Sequence, residues 1–325
     1  MDRLRKLEAM GKERSKGIQA ALLSAFLLGL APVFGRQAIL FGLSPLAVVA
    51  LRTCLAAGLL ILIVAIFKRQ YLYIYPVGLA GCLLAGTING IGSVLYYMSL
   101  ARLSASIGQM LYSLYPFFLA FWLLLDRQPL SRTTMLRIGI ATAAVLLLVS
   151  GNSTQVDLIG VLLMLGGSLL YALHLPINQR VLYDVPAPTV TLYTLLAMSG
   201  VVVPAYFIFD PHLPVGHITW WPVIGLTLVT FFSRLTLFLG VKHVGGMQTA
   251  LLGLSELLVA ITFGHILLGE HLSTLQWLGT IGLIVSLLMV RNDTTTPTRT
   301  GGTGGWLNWI RPKDIPPNVP WGPHD

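Results

Sequence analysis

Charge is what this sequence has least of. Only 10% of its 325 residues are Asp, Glu, Lys or Arg, and 12 in all are acidic. That leaves too little polar surface to clothe a soluble domain when 55% of the chain is hydrophobic. The 21 Lys and Arg give a net charge of +9, yet they are scattered among loops and termini. No concentrated basic footprint exists, so no nucleic-acid partner is expected. Cysteine is nearly missing: Cys54 and Cys82 both sit in apolar runs. They form neither a disulfide framework nor a metal spacing and read as small packing residues. The sequence also lacks HExxH, GxSxG and P-loop patterns, which removes the common routes to hydrolysis and phosphoryl transfer. Ser168 and His174 lie six residues apart, about 600° around a helix, and are poorly aligned for a nucleophile and its base. No cofactor and no metal are expected.

What the sequence has is long apolar runs. Ten candidate spans fall at about 17–40, 44–67, 76–99, 105–126, 136–151, 158–182, 187–209, 219–241, 245–269 and 273–290. Eight are of a length to cross a bilayer, whereas the fifth and tenth are short, and a run of about 15 residues suits a re-entrant segment as well as a span. Residues 1–16, with six Lys or Arg and three acids, form a polar leader ahead of an uncleaved first helix. Residues 292–325 turn to Thr, Gly and Pro and read as a disordered tail. Its Trp306, Trp309 and Trp321 are candidates for the lipid interface or a partner.

The basic residues test the count. Lys68, Arg69, Arg127, Arg132, Arg137, Arg180 and Lys242 flank the loops after even-numbered spans, whereas the odd-numbered loops hold only Arg36 and Arg102. The positive-inside rule then puts both termini in the cytoplasm, with the lipid bilayer of the cell membrane as the surrounding partner. A shift of 139 to 143 residues also brings the halves into register, setting Gln109 on Gln248, Leu114 on Leu254, Gly139 on Gly279 and Pro45 on Pro188. Five spans per copy force the second copy to enter from the opposite side. The expected fold is an all-α membrane protein of ten transmembrane helices, arranged as two inverted five-helix repeats, 17–151 and 158–290. Such repeats suit alternating access around a central site.

Polar groups gather on single helix faces. Gly86, Asn89, Gly90, Ser93 and Tyr97 make one stripe; Gln109, Tyr112, Ser113 and Pro116 another. Gly167, Tyr171, His174 and Asn178 follow, then Thr227, Thr230 and Arg234, then Thr249, Gly253, Glu256 and Ala260. Small residues alone suffice for close helix packing. Glu256 asks for more, because it lies near mid-membrane, where an acid costs on the order of 2.5 to 3.5 kcal/mol to insert. The candidate cavity residues are Asn89, Tyr97, Gln109, Tyr112, His174, Asn178, Arg234 and Glu256. Arg234 is the expected partner of Glu256. A buried pair can merely neutralise itself; in the functional alternative Arg234 or Arg52 binds an acidic substrate group while Glu256 takes a coupling proton or meets an amine.

The segments YPFFLAFWLLLDRQPL and LSELLVAITFGHILLGEHL, closing the fourth and ninth spans, resemble the EamA family of the drug/metabolite transporter superfamily. The resemblance covers about residues 17–290. Glu256, Gly269 and Glu270 match that family's ninth-helix pattern, whereas Leu257 stands where a Pro is usual. In the first copy Pro116 is kept, with Tyr115 in place of the Glu and Asp126-Arg127 in place of Gly-Glu. The resemblance implies a secondary transporter rather than an enzyme, moving a small organic, amino-acid-like substrate, with export the implied direction. Two rival readings are a membrane enzyme on a lipid-linked substrate and a scaffold or sensor acting through the tail. The oligomeric state is left open.

Overall fold

The computed structural model describes residues 2–128, 130–150, 157–211, 219–269, 273–289, 306–307 and 310. They form twelve α-helices and a 3₁₀ turn at Arg69–Leu72. In order the helices are α1 Asp2–Leu40, α2 Pro45–Phe67, α3 Pro76–Leu100, α4 Ala105–Tyr112, α5 Tyr115–Leu125 and α6 Arg132–Ser150. Then come α7 Leu158–Leu182, α8 Ala187–Phe209, α9 Trp221–Val244, α10 Gly246–Gly253, α11 Ser255–Leu268 and α12 Thr274–Leu288. The leader is not a separate element, since α1 runs through it.

Among the described residues eight helices, counting α4 with α5 and α10 with α11 as one each, are long and apolar enough to cross a membrane. This is a multi-pass membrane protein. The stretches expected as the fifth and tenth spans are helical, as α6 and α12, but fall outside that count. The 15 described residues of α12 reach about 22 Å against a core of about 30 Å, and α6 starts earlier than expected and carries Arg132 and Arg137. The two pack against each other. Arg137 lies within α6, is fully buried and donates from Nη1 to Gln248 Oε1 at 2.6 Å and from Nε to the Ser286 carbonyl at 3.2 Å.

The halves interleave. Helix α1 packs on α9 as α7 packs on α3, α1 lies along α10 and α11 as α7 lies along α4 and α5, and α2 meets α9 as α8 meets α3. Exchanging one half for the other maps each of these contacts onto its mate. The polar contacts at the helix ends follow suit: Arg102 forms an ion pair from the end of α3 to Asp157 before α7 at 2.8 Å, and the His243 ring at the end of α9 lies 3.5 Å from the Glu13 carboxylate in α1. Asp157 also caps α7 by accepting from the Ile159 and Gly160 amides. Arg102 first, and those amides with it, hold its carboxyl below the usual carboxylate range. At the α3–α7 crossing a Cβ on Gly167 would lie 3.0 Å from the Gly92 carbonyl, so glycine there lets the two backbones touch.

Both long spans that carry the family-like segments are broken, and at matching places. Leu114 precedes α5 and Leu254 precedes α11, the pair that the half-chain shift superposes. In the first copy Pro116 has no N–H to give the Tyr112 carbonyl, and Ser168 Oγ donates to it instead at 2.8 Å. In the second copy the break persists without proline. There the Tyr115 hydroxyl donates to the Ala250 carbonyl at 2.9 Å, and Ser255 Oγ to that of Leu252 at 2.9 Å. Side chains thus satisfy backbone groups that hydrocarbon could not.

Of the tail, Trp306, Leu307 and Ile310 are described. Leu307 and Ile310 are buried in the same apolar cluster as Tyr75, Cys82 and Val181, so this part packs on the bundle rather than lying free. The Leu307 amide donates to Asp126 Oδ1 at 3.1 Å, while Asp126 Oδ2 takes Arg180 Nη2 at 2.7 Å. Both members of that ion pair are buried. Trp309, Trp321 and Glu270 lie outside the described residues.

Candidate functional site

Where the broken helices meet α1, α2, α3, α7 and α9 there is a cavity of about 40 Å³, space for a few waters. Its lining is polar and aromatic: Arg52, Ser93, Tyr96, Tyr97, Gln109, Tyr112, Tyr171, Arg234 and Glu256, with Leu28 and Ala31 from α1. Each long polar side chain is brought in by the interior face of its helix, because the opposite faces of these helices are apolar and exposed, as at Leu62, Ile91 and Phe232.

Arg52, 5% exposed, donates from Nη1 to Thr230 Oγ1 at 3.2 Å and from Nη2 to Ser93 Oγ at 3.3 Å. Its guanidinium stands 4.8 Å from the centre of the Tyr97 ring, a cation–π distance. Arg234, 4% exposed, lies 5.8 Å from the Tyr171 ring centre. With the Asn89 amide turned to satisfy both groups, its oxygen accepts from Arg234 Nη1 and Nη2 at 3.1 and 3.2 Å. Glu256, 3% exposed, takes Gln109 Nε2 on Oε2 at 3.3 Å, and Gln109 Oε1 in turn accepts from the Tyr96 hydroxyl at 3.2 Å. Gly253 makes room here: a Cβ on it would collide with the Tyr115 hydroxyl and lie 3.1 Å from Glu256 Oε1.

The rings of Tyr96, Tyr97, Tyr112, Tyr115 and Tyr171 form one continuous cluster, with neighbouring centroids 4.9 to 5.9 Å apart. Such rings offer large apolar faces and hydroxyl tips together. The Tyr97 hydroxyl and the Nε atoms of Arg52 and Arg234 are buried with no hydrogen-bond partner among the described residues. Each belongs to a residue that lines the cavity.

Of the eight residues expected at the site, Tyr97, Gln109, Tyr112, Arg234 and Glu256 line the cavity. Asn89 stands one contact behind it, on Arg234. His174 and Asn178 do not reach it. The His174 ring is fully buried beside Tyr171 and Phe238, with Nδ1 against the Tyr171 carbonyl, and Asn178 accepts from Thr194 at 3.3 Å. They share a helical stripe with Tyr171, but the cavity samples one turn of that stripe and leaves the next turns in packed core. The expected ion pair also fails: Arg234 and Glu256 face the same cavity with no direct bridge between them. Tyr96 was not singled out, because it sits one residue off the polar stripe of α3. Its signal was the Tyr96-Tyr97 doublet opposite Tyr112.

Among the described residues no group of three or more His, Cys, Asp or Glu could hold a metal ion. Ser168 Oγ is spent on the Tyr112 carbonyl. The arrangement is suited to binding, with two cations, one acid and a ring of hydroxyls around a small wet space.

No curated protein matches the chain. Among solved structures 29 chains match; one crystal structure superposes with a TM-score of 0.69 at 14% identity, covering 86% of this chain and 99% of that one. That likeness is one of fold. The family model described as the EamA-like transporter family matches residues 15–150 and again 158–292. Two copies of one family unit, each with its own broken helix, account for nearly all of the helical bundle, and the chain belongs to the EamA-like transporter family.

Proposed function

We propose that the chain is a secondary transporter of the cell membrane that carries a small organic, amino-acid-like metabolite by alternating access. In this reading the ten spans form two inverted five-helix repeats, with α6 and α12 as the fifth and tenth, and both termini are cytoplasmic. One observation carries it: two arginines and a glutamate are buried around a cavity where the discontinuous helices of both halves meet. Buried ions at broken helices are what transport sites require and what lipid otherwise selects against.

The cavity in this conformation is too small for a whole metabolite, which fits a closed state from which either half moves to open a path. The paired contacts of the two halves support equivalent opening to each side. Binding is assigned to Arg52, Arg234, Tyr97, Gln109, Tyr112 and Glu256, with Asn89 holding Arg234 in place. Export is the proposed direction, by family resemblance, and Glu256 is the proposed carrier of a coupling proton.

Proteoliposomes test this. Protein with Glu256→Gln should elute as a folded monodisperse species and lose most of the pH-driven flux of the wild type. Equal flux across pH in the two proteins would remove Glu256 from the mechanism.

A further inference from the structure

The cavity's charges do not balance. Arg52 and Arg234 bring two positive charges, and every hydrogen-bond or ring partner they have is neutral: Thr230, Ser93 and Tyr97 for the first, Asn89 and Tyr171 for the second. Among the described residues Glu256 is the sole carboxylate on the lining, and its hydrogen-bond partners, Gln109 and the Tyr115 hydroxyl, are neutral as well. The sequence has no other acid in the interior of an apolar span. An uncompensated ion in a buried site is costly, and the natural remedy is a bound counter-charge.

We propose that the substrate is an acidic amino acid or a close analogue, with two carboxylates and one ammonium. This rests on the reading of the chain as a transporter with this cavity as its binding site. Two carboxylates answer two guanidiniums, which bind them in matched planar geometry, and one ammonium answers Glu256. The substrate's net charge of minus one cancels the lining's plus one. The side-chain Nε atoms of Arg52 and Arg234, both buried without hydrogen-bond partners among the described residues, supply the second donor that a two-pronged carboxylate contact needs. The two arginines come from different halves, α2 and α9. A substrate with two acidic ends can therefore hold both halves at once, whereas one with a single carboxylate engages only one of them.

The test is counterflow into proteoliposomes with labelled L-glutamate, L-aspartate, succinate, L-glutamine, L-leucine, L-phenylalanine and L-lysine. Glutamate or aspartate should be carried at least tenfold faster than glutamine or leucine. Arg52→Gln and Arg234→Gln should each cut the glutamate-to-glutamine ratio by tenfold or more. Arg52→Lys, which keeps the charge, should retain more of the ratio than Arg52→Gln and so separates lost charge from lost folding. Succinate carried as well as glutamate would overturn the ammonium's role at Glu256. Flux of leucine, glutamine, phenylalanine or lysine without glutamate or aspartate would overturn the substrate class and leave the transporter standing. No flux of any probe by monodisperse protein would count against both.

Discussion

The hydroxyl of Tyr115 in α5 donates to the carbonyl of Ala250 in α10 at 2.9 Å, so the broken helix of one half holds open the break in the other. Tyr115→Phe removes that donor, and with it the same hydroxyl's hydrogen bond to Glu256. The Ala250 carbonyl would be left buried and bare, which costs about 1 to 3 kcal/mol. Thermal unfolding in detergent should fall accordingly, and Ser168→Ala should do the same through the Tyr112 carbonyl. If neither moves the midpoint, the breaks are not supported by these hydroxyls.

Gly253 supplies the matching steric test. Gly253→Ala puts a methyl into the Tyr115 hydroxyl and against Glu256, and at least one of the two must shift. Stability should drop, and transport with it. Gly200 is the control, since a Cβ there meets nothing within 4 Å. In mid-helix the change Gly200→Ala should stabilise by about 0.5 to 1 kcal/mol. A Gly253→Ala protein that melts at or above the wild-type temperature would contradict the crowding around Tyr115.

Lipid makes some features legible and hides others. A span must be apolar along its length, so the runs that became α2, α3, α7, α8 and α9 could be read to within a few residues. Glu256 was legible for the same reason, as an acid where acids are costly. The break at Leu254 was not, because no proline marks it and its supports, Tyr115 and Ser255, are tertiary or local hydrogen bonds. The partners of Arg234 were misread because sequence shows which charges exist and not which neutral groups stand nearer. Turn geometry corrects the register too. Gly269 and Arg127 both have positive φ, 68° and 55°, so the ends of α11 and α5 align Arg127 with Gly269, where the sequence set Asp126.

Asp126 and Arg180 form a buried pair that also anchors the tail through Leu307. Removing one charge leaves the other stranded, which typically costs about 3 to 5 kcal/mol. Asp126→Ala should therefore destabilise strongly, and Leu307→Ala more mildly through lost burial. Because the two residues touch, their effects should not add. A double-mutant cycle by chemical or thermal unfolding should give a coupling of about 0.5 kcal/mol or more. Strict additivity would mean that the tail does not rest on Asp126 in solution.

The Arg102–Asp157 ion pair at the end of α3 gives a pH prediction at Asp157. Its carboxyl is held below its ordinary value of 3.8, chiefly by Arg102. A lowered folded-state value means that the contribution is fully present above the unfolded value and is lost as pH falls through the folded one. Stability should thus be insensitive to Asp157 at neutral pH and decline with acidification below about 3.8. The pair is partly open to water, with its side chains 46% and 34% exposed, so the effect should be small and shrink further in high salt. Comparing wild type with Arg102→Gln over pH 2 to 6 isolates it, since that change removes the main cause of the shift and keeps the helix cap. The acid-side decline should then differ between the two proteins at low salt and converge at high salt; identical pH profiles at low salt would mean that Arg102 and Asp157 are not bridged.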